Sequence, residues 1–180
     1  MQAEEVTRND VALAGLRVLL GAIFVVFGQY KVLGSAFTRG GGFQFWINGF
    51  LPDRAYPFMV PVLKGFVLPH ATAIAFLVAY GELAIGIALI MGVLVRTAST
   101  LGLIYMLLLL FSANYPVAAD YPGGRFAFWE YFGASSDHLF AVLCFATLIV
   151  GRADRALTLR RIVKPKAPKR GGSQSRDNIL

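Results

Sequence analysis

Val11-Ala-Leu-Ala-Gly-Leu-Arg-Val-Leu-Leu-Gly-Ala-Ile-Phe-Val-Val-Phe-Gly-Gln-Tyr30 is apolar except at Arg17 and Gln29. About 20 such residues, rising 1.5 Å each as a helix, cross the hydrocarbon core of a bilayer. The stretch therefore predicts a membrane span. The ten residues before it carry Glu4, Glu5 and Asp10 against Arg8, the wrong charge for a secretory leader. No small-residue cleavage site follows, so the span is expected to be retained. Composition points the same way: of 180 residues 57% are hydrophobic and 15% charged, and the mean hydropathy is +0.62. Soluble domains carry roughly 45–50% and about 25%.

Working outward, three more apolar runs predict a second span from about His70 to Val95, a third from Thr97 to Tyr115 and a fourth from about Ser136 to Val150, lengthened by Trp129 to Phe132. The expected fold is an all-α membrane protein, a four-transmembrane-helix bundle with two aromatic outer loop segments. Residues 1–10 form an N-terminal segment, 11–152 the transmembrane domain and 153–180 a basic tail. No large extramembrane catalytic domain fits. With four spans the termini share a side, which holds Arg8, Arg96, Arg152 and eight basic residues of the tail, while the opposite loops hold only Lys31, Arg39, Arg54, Lys64 and Arg125. The positive-inside rule places both termini in the cytoplasm, in a bacterial plasma membrane. The tail, Lys164-Pro-Lys-Ala-Pro-Lys-Arg170 before Gly171-Gly-Ser-Gln-Ser, cannot bury a core. It reads as a partner of anionic lipid headgroups, secondarily of another protein, and not of nucleic acid.

The pattern Phe-x-Phe-Trp recurs in Gly41-Gly-Phe-Gln-Phe-Trp46 and Gly123-Gly-Arg-Phe-Ala-Phe-Trp129, once after each odd-numbered span. A parallel repeat of two-span units follows, with two short amphipathic segments folded over the outer mouth of the bundle. An interfacial aromatic belt accounts for part of the same bias.

Polar residues inside the spans narrow the chemistry. Ala14, Gly21 and Gly28 recur every seven residues in span one, interleaved with Arg17, Phe24 and Lys31. Ala75, Ala79, Glu82, Gly86, Leu89, Val93 and Arg96 give a similar seam in span two. Small residues let helices approach closely in lipid. Glu82 falls about 18 Å from the nearer end of its span, near mid-bilayer. An unpaired charge there costs at least about 2.5–3.5 kcal/mol, so Glu82 is expected to pair with Arg17 or Arg96, or to handle protons. A second group, Gln29, Lys31, Asn114, Asp137 and His138, gathers at the outer ends of the spans. Asp137 is placed to cap the fourth helix. His138 beside it suits proton transfer near neutral pH, and Trp46 and Trp129 could wall a flat ring. Together these residues offer a quinone the donors, walls and apolar slot it needs. His70 and His138 share a depth, as a bis-histidine haem would require, but at interface level, so haem is not expected. Cys144 is the single cysteine, which excludes disulfide frameworks, CxxC chemistry and Cys-ligated metal centres. No metal or covalently bound cofactor is expected.

Arg17-Val-Leu-Leu-Gly21 with Gly28-Gln-Tyr-Lys31, Gly81-Glu-Leu-Ala-Ile-Gly86 with Gly92-Val-Leu-Val-Arg96, and Asn114 closing span three resemble the DoxX/DoxD-type membrane proteins over about residues 11–152. The long aromatic first outer loop resembles the DoxD branch. The resemblance implies a four-helix bundle acting as a subunit of a thiosulfate:quinone oxidoreductase that delivers electrons to membrane quinone. That enzyme's DoxA partner sequence is absent from this chain, so a partner membrane subunit is expected. The alternative is a non-catalytic accessory subunit packed on a larger respiratory or photosynthetic complex.

Overall fold

The computed structural model describes residues 7–117 and 128–154. Within them the chain is helical: α1 (Arg8–Leu33), α2 (Ser35–Thr38), α3 (Gly42–Phe50), α4 (Val60–Val62) running into a π-helical turn (Leu63–Val67), α5 (Ala71–Met91), α6 (Val95–Ala113) and α7 (Phe128–Val150). Four of these, α1, α5, α6 and α7, are long and apolar enough to cross a membrane. The four-span bundle expected from the sequence is present. The N-terminus, the tail from residue 155 and most of the second aromatic segment, including Arg125, lie outside the described residues.

The termini of the helices follow local chemistry. Thr7 and Asp10 form a capping box on α1, the Thr7 hydroxyl accepting from Asp10 N at 3.2 Å and the Asp10 carboxylate accepting from Thr7 N at 2.8 Å. At the same end of the bundle α5 stops at Met91 because Gly92 turns left-handed at φ 68°, and Leu94 follows at φ 49°. The second span is therefore shorter than the apolar run that suggested it, and Arg96 belongs to the first turn of α6. That removes Arg96 from the α5 seam.

α1 and α5 run antiparallel along the small-residue seam. A Cβ added at Gly21 would fall 2.8 Å from Gly86 O, and one at Gly28 would fall 2.7 Å from Leu83 N. The two backbones touch, so only glycine fits at these crossings. α6 and α7 pack with the buried Phe145 ring lying over Gly102. Leu20, Phe24, Ile85, Leu89, Ala98, Phe145 and Leu148 form the resulting core.

A second, smaller core sits where α2, α3 and α4 fold against the first half of α5. Phe43 and Ile47 of α3 pack there with Ala55, Leu63, Ala71 and Ala75. The loop is tied to the end of α6 by Tyr56 N to Phe111 O (3.0 Å) and Tyr115 N to Arg54 O (2.8 Å). The first Phe-x-Phe-Trp copy thus builds the amphipathic cap helix the sequence suggests, with Phe43 inside and Phe45 and Trp46 exposed. Phe128 and Trp129 of the second copy instead belong to α7. The rest of that copy, residues 123–127, lies outside the described residues.

Candidate functional site

Glu82 lies midway along α5, buried at 5% exposure. The seam brings Gly28 of α1 over Leu83, so Lys31, one turn further on, reaches back to Glu82. Lys31 Nζ sits 2.5 Å from Glu82 Oε1. Tyr105 of α6 donates its hydroxyl to the same oxygen and lies 3.4 Å from Lys31 Nζ. The Phe37 ring, contributed by α2, covers the ammonium at 5.3 Å. Phe24 packs edge-on against the Tyr105 ring, with centroids 6.2 Å apart, and so props it from the core side. Glu82 Oε2 is buried and has no hydrogen-bond partner among the described residues.

This pairing corrects the expectation that Glu82 would be neutralised by Arg17 or Arg96. Arg17 lies eleven residues before Gly28, about 16 Å away along α1. It is fully buried and donates from Nη1 to Ala153 O at 2.9 Å, fastening α1 to the chain just past α7. Arg96 is exposed on α6. Depth reckoned from the ends of a helix cannot show which residues face each other; the glycine crossings decide that here.

Beside the ion pair a groove of about 480 Å³ opens between α5 and α6. Its rim residues Leu77, Leu101, Ile104 and Leu108 are exposed, which on membrane-spanning helices means facing lipid. Among the described residues, Glu82, Tyr105 and Thr97 are the ones lining it with polar side chains. The groove is thus an almost wholly apolar slot with Glu82 and Tyr105 in its lining.

The other candidate residues stand apart from it. Asn114 caps α6, nine residues and about 13 Å beyond Tyr105. Its amide donates to Ala134 O at 2.5 Å and to Asp137 Oδ1 at 3.0 Å, clasping α6 to α7. Asp137 also receives the backbone N–H of His138 at 2.8 Å and lies 3.0 Å from its ring Nδ1. Asp137 is not a helix cap as expected, because α7 already runs from Phe128, nine residues earlier. Gln29 is exposed on α1. Trp46 and Trp129 are 56% and 76% exposed and make ring contacts with neighbours on their own helices. None of these six lines the groove. Of the outer cations, Arg39 lies over the Phe76 ring at 5.5 Å, while Arg54 and Lys64 are exposed.

Sequence reasoning passed over Tyr105 and Phe37. A signal for Tyr105 existed: it is the single hydroxyl-bearing aromatic within an otherwise apolar run, Leu101 to Leu110. Phe37 had none, since it is one aromatic among many in the first loop.

The DoxX family model matches residues 12–114, from the first turns of α1 to the Asn114 cap, and so takes in Arg17, Lys31, Glu82 and Tyr105. No curated protein and no solved structure matches the chain. α7 with its Asp137–His138 pair lies beyond the matched residues. The match spans more than half of the 180 residues and agrees with the four apolar spanning helices: the chain belongs to the DoxX family and is a multi-pass membrane protein.

Proposed function

We propose that this protein is a quinone-linked redox subunit of a bacterial plasma membrane, with both termini cytoplasmic, and that Glu82, Tyr105 and Lys31 form the headgroup end of its quinone site. One observation carries the reading: a lipid-facing apolar groove is lined by the buried Glu82 carboxylate and the half-buried Tyr105 phenol, with the Lys31 ammonium paired to that carboxylate. Its volume of about 480 Å³ lies within the roughly 300–1,000 Å³ of small-molecule sites. An isoprenoid tail would leave through the open rim into lipid. A quinone bound there would supply the two-electron chemistry, taking up two protons as it became quinol. The side chains supply the rest: Tyr105 and Lys31 carry exchangeable protons, and Glu82 is placed to relay them. The Phe37 ring covers one face of the ammonium, and the Phe24 ring packs against Tyr105. Electrons would come from a partner subunit; the DoxD-type resemblance suggests thiosulfate oxidation as the donor reaction.

The test is the quinone content of the purified protein. The wild type should carry extractable quinone approaching one per chain. Tyr105→Phe should hold less, and Gly81→Phe should hold almost none, because a Cβ at Gly81 meets open space and a ring there would fill the groove. Quinone at the background of the detergent–lipid extract in wild type would contradict the site. If a large membrane protein then co-purified stoichiometrically, the accessory-subunit reading would take its place.

A further inference from the structure

The distribution of hydrogen-bond donors and acceptors around Glu82 selects between the two redox forms of a quinone. Glu82 Oε1 receives both Lys31 Nζ and the Tyr105 hydroxyl. The remaining capacity of Lys31 is directed at the Tyr105 oxygen, 3.4 Å away, and at the face of the Phe37 ring. Both donors of the cluster are therefore committed within it. The group left over is an acceptor, Glu82 Oε2, buried and without a partner among the described residues. Thr97, the other polar residue lining the groove, lies eight residues from Tyr105, about 12 Å along α6 and out of reach of a headgroup at Glu82.

A quinone carbonyl can only accept hydrogen bonds, and against Oε2 it would set lone pair against lone pair. A quinol hydroxyl donates, and an O–H to carboxylate bond in low dielectric is among the stronger hydrogen bonds. A buried polar atom without a partner is also a standing cost that such a ligand removes. Resting on the quinone-site reading above, we propose that the α5–α6 groove binds quinol in preference to quinone, with the quinol hydroxyl donating to Glu82 Oε2. The preference should be at least about tenfold, the usual worth of a hydrogen bond to a charged group. It would raise the midpoint potential of the bound couple by about 30 mV per tenfold.

Replacing Glu82 by glutamine sharpens the expectation. Lys31 and Tyr105 still donate to one position, so they fix the amide with its oxygen there and its NH₂ where Oε2 stood. The open group becomes a donor, and the preference should shift toward quinone.

The experiment measures equilibrium binding of decylubiquinol, under anaerobic conditions, and of decylubiquinone to the full chain in lipid nanodiscs. Wild type should bind the quinol at least tenfold more tightly. Glu82→Gln should lose or invert that ratio, and Gly81→Phe should bind neither form. Equal or tighter binding of the quinone by wild type would overturn the preference while leaving the site in place. Failure of wild type to bind either form, or unchanged binding in Gly81→Phe, would overturn the site itself and the preference with it. Should Glu82→Gln not fold, the wild-type ratio and the Gly81→Phe control still decide the matter.

Discussion

At the scale of single residues, the protein's chief expense is a carboxylate in mid-membrane. Lys31→Met would leave Glu82 buried without its cation, which costs about 3–5 kcal/mol when one partner of a buried pair is removed. The expected result is a large fall in thermal stability in detergent. Lys31→Met combined with Glu82→Leu removes both charges and should restore most of that stability, since apolar replacements of buried pairs are often neutral or better. The same double variant should hold no quinone. Stability regained together with normal quinone content would show that the pair has only a structural role. The sequence makes Glu82 conspicuous, because mid-span carboxylates are rare and costly. It does not reveal the partner. Arg17, Lys31 and Arg96 all fall on the small-residue seams of the sequence, but Arg17 is drawn to Ala153 O and Arg96 lies past the Gly92 turn.

Among the helices, the α1–α5 crossing sets the geometry of the site, since Gly28 over Leu83 fixes how far Lys31 must reach. Gly28→Val should force the helices apart, cost about 1–3 kcal/mol by overpacking and separate Lys31 from Glu82. Gly15→Val, on the same helix where a Cβ meets nothing within 4 Å, should cost far less. Thermal melts of the two variants, with quinone content alongside, check the contrast; equal losses would mean that the crossing does not control the site. The seven-residue spacing of Ala14, Gly21 and Gly28 makes this seam legible in advance, because close packing in lipid demands small residues. The helix ends are less legible. An apolar run continues from α5 through Gly92 to α6 with no polar break, and only the left-handed backbone at Gly92 and Leu94 shows where the chain reverses. The aromatic repeat is ambiguous for a related reason: Phe43 to Trp46 lie in the short helix α3, whereas Phe128 and Trp129, the described end of the second copy, open α7.

For the whole molecule, the four spans leave two polar clusters at different depths rather than the single outer pocket suggested by Gln29, Lys31, Asn114, His138 and the two tryptophans. Asn114, Asp137 and His138 clasp α6 to α7 near the loop end, while Lys31 turns inward to Glu82 and Tyr105 beneath the α2–α3 cap. Both the bundle and the suspicion of a buried charge were readable from hydropathy and residue cost. The groove was not, because it depends on how α5 and α6 splay, a tertiary property with no local signature. The measurement that bears most directly on the account is photo-crosslinking with an azido-quinone in nanodiscs, followed by mapping of the labelled peptides. Labels are predicted on α5 and α6 between Ile74 and Leu108, and they should vanish in Gly81→Phe. Labels confined to the peptides carrying Trp46, Trp129 and His138, or undiminished by Gly81→Phe, would contradict it.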